Sequence, residues 1–283
     1  MIRTFILSTA IVFAVLLVQF FIIYLFAREK SKVQIKEIVL SFLAASFFIG
    51  LVLSLLEYLF QSVNHKIIYY VLAASLISAY WFIVEPLKFL FVRGDRVRGK
   101  ELEMKLAKKG YNYKILFTDA ITNNAYATGI VPFCRIIILG RALKEKLTPS
   151  QLEAIVYHEI GHHERYHILK LFLINVVLQV VYIQVFSVVF HLPDNIGLLE
   201  PLIVACVGGA GGLVFWFVPN KVSLWFEYYA DEYAAVHYDR EVIVESLQRL
   251  DEISGGSLTK GNYSHPKLDK RVLNIIENNN ISM

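Results

Sequence analysis

Charged side chains disappear from five stretches of this chain: residues 4–27, 38–56, 67–84, 171–193 and 201–220 contain no Asp, Glu, Lys or Arg. At 1.5 Å rise per residue, about 20 helical residues cover the ~30 Å hydrocarbon core of a bilayer. The five runs are therefore predicted to be transmembrane helices. The first is long for the apolar part of a signal peptide and has no small-residue cleavage pattern before Arg28, which predicts a retained anchor. Glu85 and Pro86 interrupt the end of the third.

Two polar blocks flank the last pair of runs. In residues 93–170 the pattern predicts a short helix over 101–109, ended by Gly110, and strands over 111–117 and 135–139, which are rich in β-branched and aromatic residues. Thr148-Pro149-Ser150-Gln151 then reads as a capping box with a proline start. The helix it opens carries Leu152, Ile155, Val156 and Ile160, and can run straight into the apolar run at Leu171. The second block, residues 221–283, holds a helical pattern at 225–237, a Gly255-Gly256 turn and a segment beginning at His265.

Composition agrees with a membrane setting. Of 283 residues, 56% are hydrophobic, above the share usual in soluble domains. Two cysteines, Cys134 and Cys206, cannot build a disulfide framework. The net charge is only +4, and its basic residues lie beside apolar runs. That distribution fits orientation in a lipid bilayer and predicts no nucleic-acid partner. Arg28, Lys30, Lys32 and Lys36 follow the first run, and Arg93, Arg96, Arg98 and Lys100 follow the third. The loop after the second run has only Lys66, and the loop around Asp194 and Asn195 has neither Lys nor Arg. The positive-inside rule then places the first loop, residues 93–170 and the C-terminal block in the cytoplasm.

Within the polar blocks the chemistry concentrates in HEIGHHERYH, residues 158–167, which holds two overlapping H-E-x-x-H patterns. Residues four apart on a helix lie one above the other, so either His158 with His162 or His163 with His167 can offer two imidazoles to one zinc ion. The glutamate after the first histidine, Glu159 or Glu164, would be the base that takes a proton from water. Periodicity does not choose between the pairs. Arg165 inside the second copy would oppose a dication, and Gly161 in the first leaves room for a close neighbour. Glu227 and Asp231 are also four apart, so both can face a metal that needs one of them, the other holding an imidazole N–H.

The stretch LTPSQLEAIVYHEIGHHERYH resembles the active-site helix of the HtpX and CAAX prenyl protease family of membrane-bound zinc metalloendopeptidases. Its Glu153 and His167 also match that pattern. NAYATG, residues 124–129, is similar to an edge-strand segment of that family. EYYAD, residues 227–231, is similar to the segment supplying its third ligand, and HPKLDKRV, residues 265–272, to its H-P-x-x-x-R segment. The matches follow the family's order, although three apolar runs stand upstream where HtpX-like proteins have two.

The resemblance implies His158, His162 and Glu227 as ligands of one Zn2+, Glu159 as the catalytic base and Asp231 as support for a ligating imidazole. Asn124, Ala125, Tyr126, Ala127, Thr128 and Gly129 would form the substrate edge strand. His265 and Asn124 are candidates for contact with substrate or transition state. His163 and His167 are expected as interfacial or supporting residues, and Arg271 as a bridge between helices.

The expected fold is mainly α: a multi-pass α-helical membrane protein with a cytoplasmic zincin-like α+β metalloprotease lobe. Residues 1–92 would form a membrane region with about three transmembrane helices (4–27, 38–56, 67–84). Residues 93–170 would form the first catalytic part, 171–220 two further transmembrane helices (171–193, 201–220), and 221–283 the part with the third ligand. The expected activity is cleavage of misfolded or damaged membrane proteins, at the plasma membrane with the catalytic lobe in the cytoplasm. The competing expectations are a CAAX prenyl protease-like processing enzyme and a non-hydrolytic scaffold or sensor that keeps the fold.

Overall fold

The computed structural model describes residues 66–79, 97–119, 123–130, 135–189 and 199–277, with isolated positions elsewhere. The apolar runs at 4–27 and 38–56 and the loop around Asp194 lie largely outside the described residues. The chain divides into two compact units, residues 1–80 with 173–218, and residues 81–172 with 219–283.

The described residues of the first unit are mostly apolar and helical. Helix α1 (Lys66–Ala79) covers the front of the third run. Its Ser78 hydroxyl accepts a hydrogen bond of 3.0 Å from Gln179. Gln179 lies on α5 (His167–Val189), and among the described residues the part of that helix over His167–Val185 is long and apolar enough to cross a membrane. The Tyr182 ring of α5 occupies the place a Cβ on Gly211 would take, 2.0 Å away, so the glycine gives the ring its seat.

The second unit is α+β. Strands β1 (Val97–Arg98), β2 (Lys114–Thr118), β3 (Ala125–Thr128) and β4 (Ile136–Gly140) form one sheet in the order β1-β2-β4-β3. Strands β2 and β4 pair in parallel, and β1 and β3 add antiparallel on the outside. Strand β3 is therefore an edge, as its sequence resemblance implies. Ile115 and Phe117 alternate inward from β2, while Ile137, Ile138 and Leu139 of central β4 are all buried. Helices α2 (Lys100–Lys108), α3 (Arg141–Lys146) and α4 (Pro149–Glu164) pack on this sheet, α7 (Arg240–Ile253) packs on α4, and α9 (Leu268–Glu277) packs on α7. Leu102, Leu106, Leu143, Ile155, Val156, Ile160, Ile243, Leu247 and Ile275 complete the core. A one-turn helix, α8 (Ser257–Lys260), follows the turn at Gly255 and Gly256, both with positive φ.

Two element boundaries differ from the sequence reading. Helix α4 begins as expected: Thr148 accepts from the Gln151 backbone at 3.3 Å and Gln151 accepts from the Thr148 backbone at 3.1 Å. It does not run on into the apolar stretch. It stops at Glu164, Tyr166 takes φ 56°, and α5 starts at His167. The second difference is at 220/221, where an apolar helix was expected to end before the ligand-bearing segment. Both belong to one 39-residue helix, α6 (Leu199–His237), with Pro219 inside it. Lys221 marks where apolarity ends, and a charge on a helix surface does not stop the helix.

Candidate metal centre

Helices α4 and α6 cross at Gly161. A Cβ there would lie 3.0 Å from the Ala230 Cα, 3.1 Å from its carbonyl oxygen and 3.1 Å from the Tyr233 Cβ. Only a residue without a side chain permits this backbone-to-backbone approach. It brings His158 and His162 of α4 against Glu227 and Asp231 of α6.

His158 Nε2 lies 3.3 Å from His162 Nε2, 3.5 Å from Glu227 Oε2, and His162 Nε2 lies 3.5 Å from Glu227 Oε1. A tetrahedral zinc with bonds of about 2.0–2.1 Å has ligand atoms about 3.3–3.4 Å apart, which is the spacing of the two imidazoles, and each imidazole meets a different Glu227 oxygen at a similar distance. The three residues are the one His/Cys/Asp/Glu group among the described residues whose ligand atoms cluster this way. The tautomers agree. His158 Nδ1 is 2.8 Å from buried Asp231 Oδ1 and donates to it, which leaves the Nε2 lone pair facing the centre. The residues fit a zinc ion.

The electrostatics favour positive charge at this point. Burial alone would lower the His158 pKa, but hydrogen bonds to Asp231 and Glu227 outweigh it and push it up to about 10. What favours a proton on His158 equally favours a metal ion beside it. Burial would raise the Glu227 carboxyl, yet Arg271, His265, His158 and His162 hold it well below the usual carboxylate range. Arg271 of α9 is 3.3 Å from Glu227 Oε2 and donates to both Asp231 oxygens at 2.7 Å. Burial opposes ionisation of Asp231 too, and Arg271 reverses that, keeping it a carboxylate. Arg271 thus bridges helices, as expected.

The second H-E-x-x-H copy faces elsewhere. His163 is buried and stacked on Tyr113 with ring centroids 5.3 Å apart; burial, then Arg135, lowers its pKa to about 4. Glu164 accepts hydrogen bonds from the Tyr113 hydroxyl and from Arg135. His167 contacts His162 instead of opposing His163: the two Nδ1 atoms are 3.0 Å apart. The metal-sized cluster is therefore built by the first copy.

Glu159 is buried on α4, next to His158. His265 has its backbone N–H bonded to Asn262 Oδ1 at 2.8 Å, and its half-exposed ring sets Nδ1 3.3 Å from Glu227 Oε1. Asn124 turns its side chain to its own strand, accepting from the Ala125 N–H at 2.9 Å, and its carbonyl accepts from Gly140 at 2.9 Å. The edge strand β3 packs against α4, with Tyr126 exposed and Gly129 at φ 99° closing it. Two polar contacts had no signal in the sequence. Lys109 pairs with Glu153 at 2.9 Å, fastening the end of α2 to α4, and Arg135 holds Glu164 at 3.1 Å. In both, the partners are far apart in the chain.

The sequence model for peptidase family M48 matches residues 95–278. Protease HtpX of Pseudoalteromonas atlantica is 27% identical over 179 residues, which are 53% of this chain and 59% of that protein. Protease HtpX of Salmonella arizonae is 26% identical over 181 residues, 53% of this chain and 61% of that protein. The chain thus aligns with about three fifths of the length of these relatives. The crystal structure of S. mikatae Ste24p shares the fold with a TM-score of 0.61 at 18% identity, over 85% of this chain and 66% of that one.

Proposed function

The chain belongs to peptidase family M48, and from that premise we propose that it is a zinc-dependent membrane endopeptidase that cleaves misfolded or damaged membrane proteins. The observation that carries the reading is the convergence of His158, His162 and Glu227, with one ligand atom of each within 4.8 Å of the others and the two Nε2 atoms 3.3 Å apart, beside the buried carboxylate of Glu159.

His158, His162 and Glu227 would hold the ion. A zinc ion bound there supplies a Lewis acid for a scissile carbonyl and makes water acidic near neutral pH. The chain's own residues do the rest. Glu159 takes the proton of the attacking water on its carboxylate and returns it to the leaving nitrogen. Asp231, held ionised by Arg271, keeps the His158 proton on Nδ1. His265, half exposed beside Glu227, would donate to the carbonyl oxygen as negative charge grows on it.

The edge strand supports the substrate class. An extended peptide can add to β3 through main-chain hydrogen bonds, with Ala125, Ala127 and Gly129 keeping the approach open. Such binding reads backbone more than side chain, so it suits unfolded segments of many sequences. The apolar helix His167–Val185 and the Lys/Arg asymmetry support a multi-pass protein in the plasma membrane, with its catalytic unit in the cytoplasm.

The test has two arms. Purified chain should cleave an unfolded protein, lose that activity to a chelator and regain it with zinc. Mass spectrometry of membranes carrying wild type or Glu159→Gln should then show many cleavage sites with loose apolar preference. Activity indifferent to the chelator would refute the metal reading. A single site beside a C-terminal lipidated cysteine would replace quality control with prenyl protein processing.

A further inference from the structure

We infer that His167, the first residue of the apolar helix α5, is a positioning residue for the metal ligand His162. This rests on the metal reading above.

Three observations carry it. First, the Nδ1 atoms of His162 and His167 are 3.0 Å apart, a hydrogen bond in which one ring must donate and the other accept. With His162 Nε2 facing His158 and Glu227 as a ligand, its proton sits on Nδ1. His162 is then the donor and His167 the acceptor, with its own proton on Nε2. Second, His167 is 1% exposed and its ring is fixed. It stacks on Phe226 at 4.2 Å with the planes 2° apart, and meets His162 edge-on at 5.1 Å. Phe226 immediately precedes the third ligand, so one ring pair links both ligand-bearing helices.

Third, the chain breaks its helix to make this contact. Residues five apart on a continuous helix point about 140° apart, so His167 could not back His162 from α4 itself. The turn at Arg165 and Tyr166, with Tyr166 at φ 56° and its N–H on the His163 carbonyl at 3.0 Å, redirects the chain so that it can. A tyrosine with positive φ costs on the order of 1 kcal/mol or more and persists only where its surroundings require it.

The two ligating imidazoles are thus backed differently. His158 rests on a carboxylate, Asp231, and His162 on a neutral imidazole. The neutral partner would fix the tautomer of His162 without adding a further negative charge beside the ion.

The experiment separates acceptor from filler. Asn at 167 keeps an acceptor where Nδ1 now stands; Phe keeps the stack on Phe226 and offers no acceptor. Zinc affinity of the full purified chain is measured by competition with a chromophoric chelator, with circular dichroism as the folding control. His167→Asn is expected within about threefold of wild type, and His167→Phe weaker by about 10- to 100-fold. Should the Phe variant not fold, His167→Leu supplies the same contrast. Equal loss in both variants, equal retention, or Phe binding more tightly than Asn would overturn the inference. Wild type that binds no Glu227-dependent zinc would overturn the metal reading along with it.

Discussion

Asp231 and Arg271 meet where water does not reach, at 0% and 3% exposure, and neither could be buried alone. Taking one partner from such a pair costs about 3–5 kcal/mol, because the remaining charge stays uncompensated. Arg271→Met is therefore expected to lower the thermal unfolding midpoint sharply, and to weaken zinc binding in whatever fraction folds. Unfolding followed by circular dichroism checks it; an unchanged midpoint would mean that Asp231 finds another partner. Glu164 is the opposite case. It belongs to the second H-E-x-x-H copy and is itself partly exposed, while it holds buried Tyr113 and largely buried Arg135. Glu164→Gln keeps an acceptor oxygen for both partners, so it should cost about 1–2 kcal/mol and leave the turnover rate unchanged. If Glu227 is a ligand as proposed, Glu227→Ala should remove zinc outright, read by metal analysis of the purified variant.

Among the elements, the crossing of α4 and α6 sets the site, and Gly161 sets the crossing. Gly161→Ala gains up to about 1 kcal/mol of helix propensity. It also forces a methyl to 3.0 Å from the Ala230 backbone, where overpacking costs about 1–3 kcal/mol. The clash wins because its partner is main chain and cannot rotate away. The variant is expected to be less stable and to lose more activity than stability, since the ligands on both helices move apart; kcat/KM and unfolding measured together test this. Helix α4 was legible in the sequence because its signals are local: the capping box at Thr148 and the four-residue spacing of His158 and His162. The end of α4 was not legible, since Tyr166 is neither Gly nor Pro and its positive φ comes with packing of His167 on Phe226, 59 positions further along. The choice between the two histidine pairs was likewise hidden from periodicity. It depends on which face of α4 meets α6, a contact 73 residues apart for His158 and Asp231.

For the whole molecule, the charge asymmetry around the apolar runs makes a prediction of its own. Cysteines introduced at Lys32 and Lys105 should resist an impermeant label in intact cells, and one at Asn195 should react. Labelling at Lys105 from outside would reverse the orientation. The apolar runs were legible as composition, and α1, α5 and α6 bear out helix for all or part of three of them. The continuity of α6 was not legible, because hydropathy reports where a helix meets lipid and not where it ends. That continuity means one 39-residue helix carries both the apolar run at 201–220 and Glu227. The central claim is that this chain holds zinc on His158, His162 and Glu227 and moves protons with Glu159. The most direct test measures zinc content and proteolytic rate on the same purified preparations of wild type and Glu159→Gln. One zinc per chain in both is expected, with the rate of the variant lower by about 100-fold or more. A Glu159→Gln chain that cleaves at the wild-type rate, or a wild type that cleaves with no zinc bound, would contradict it.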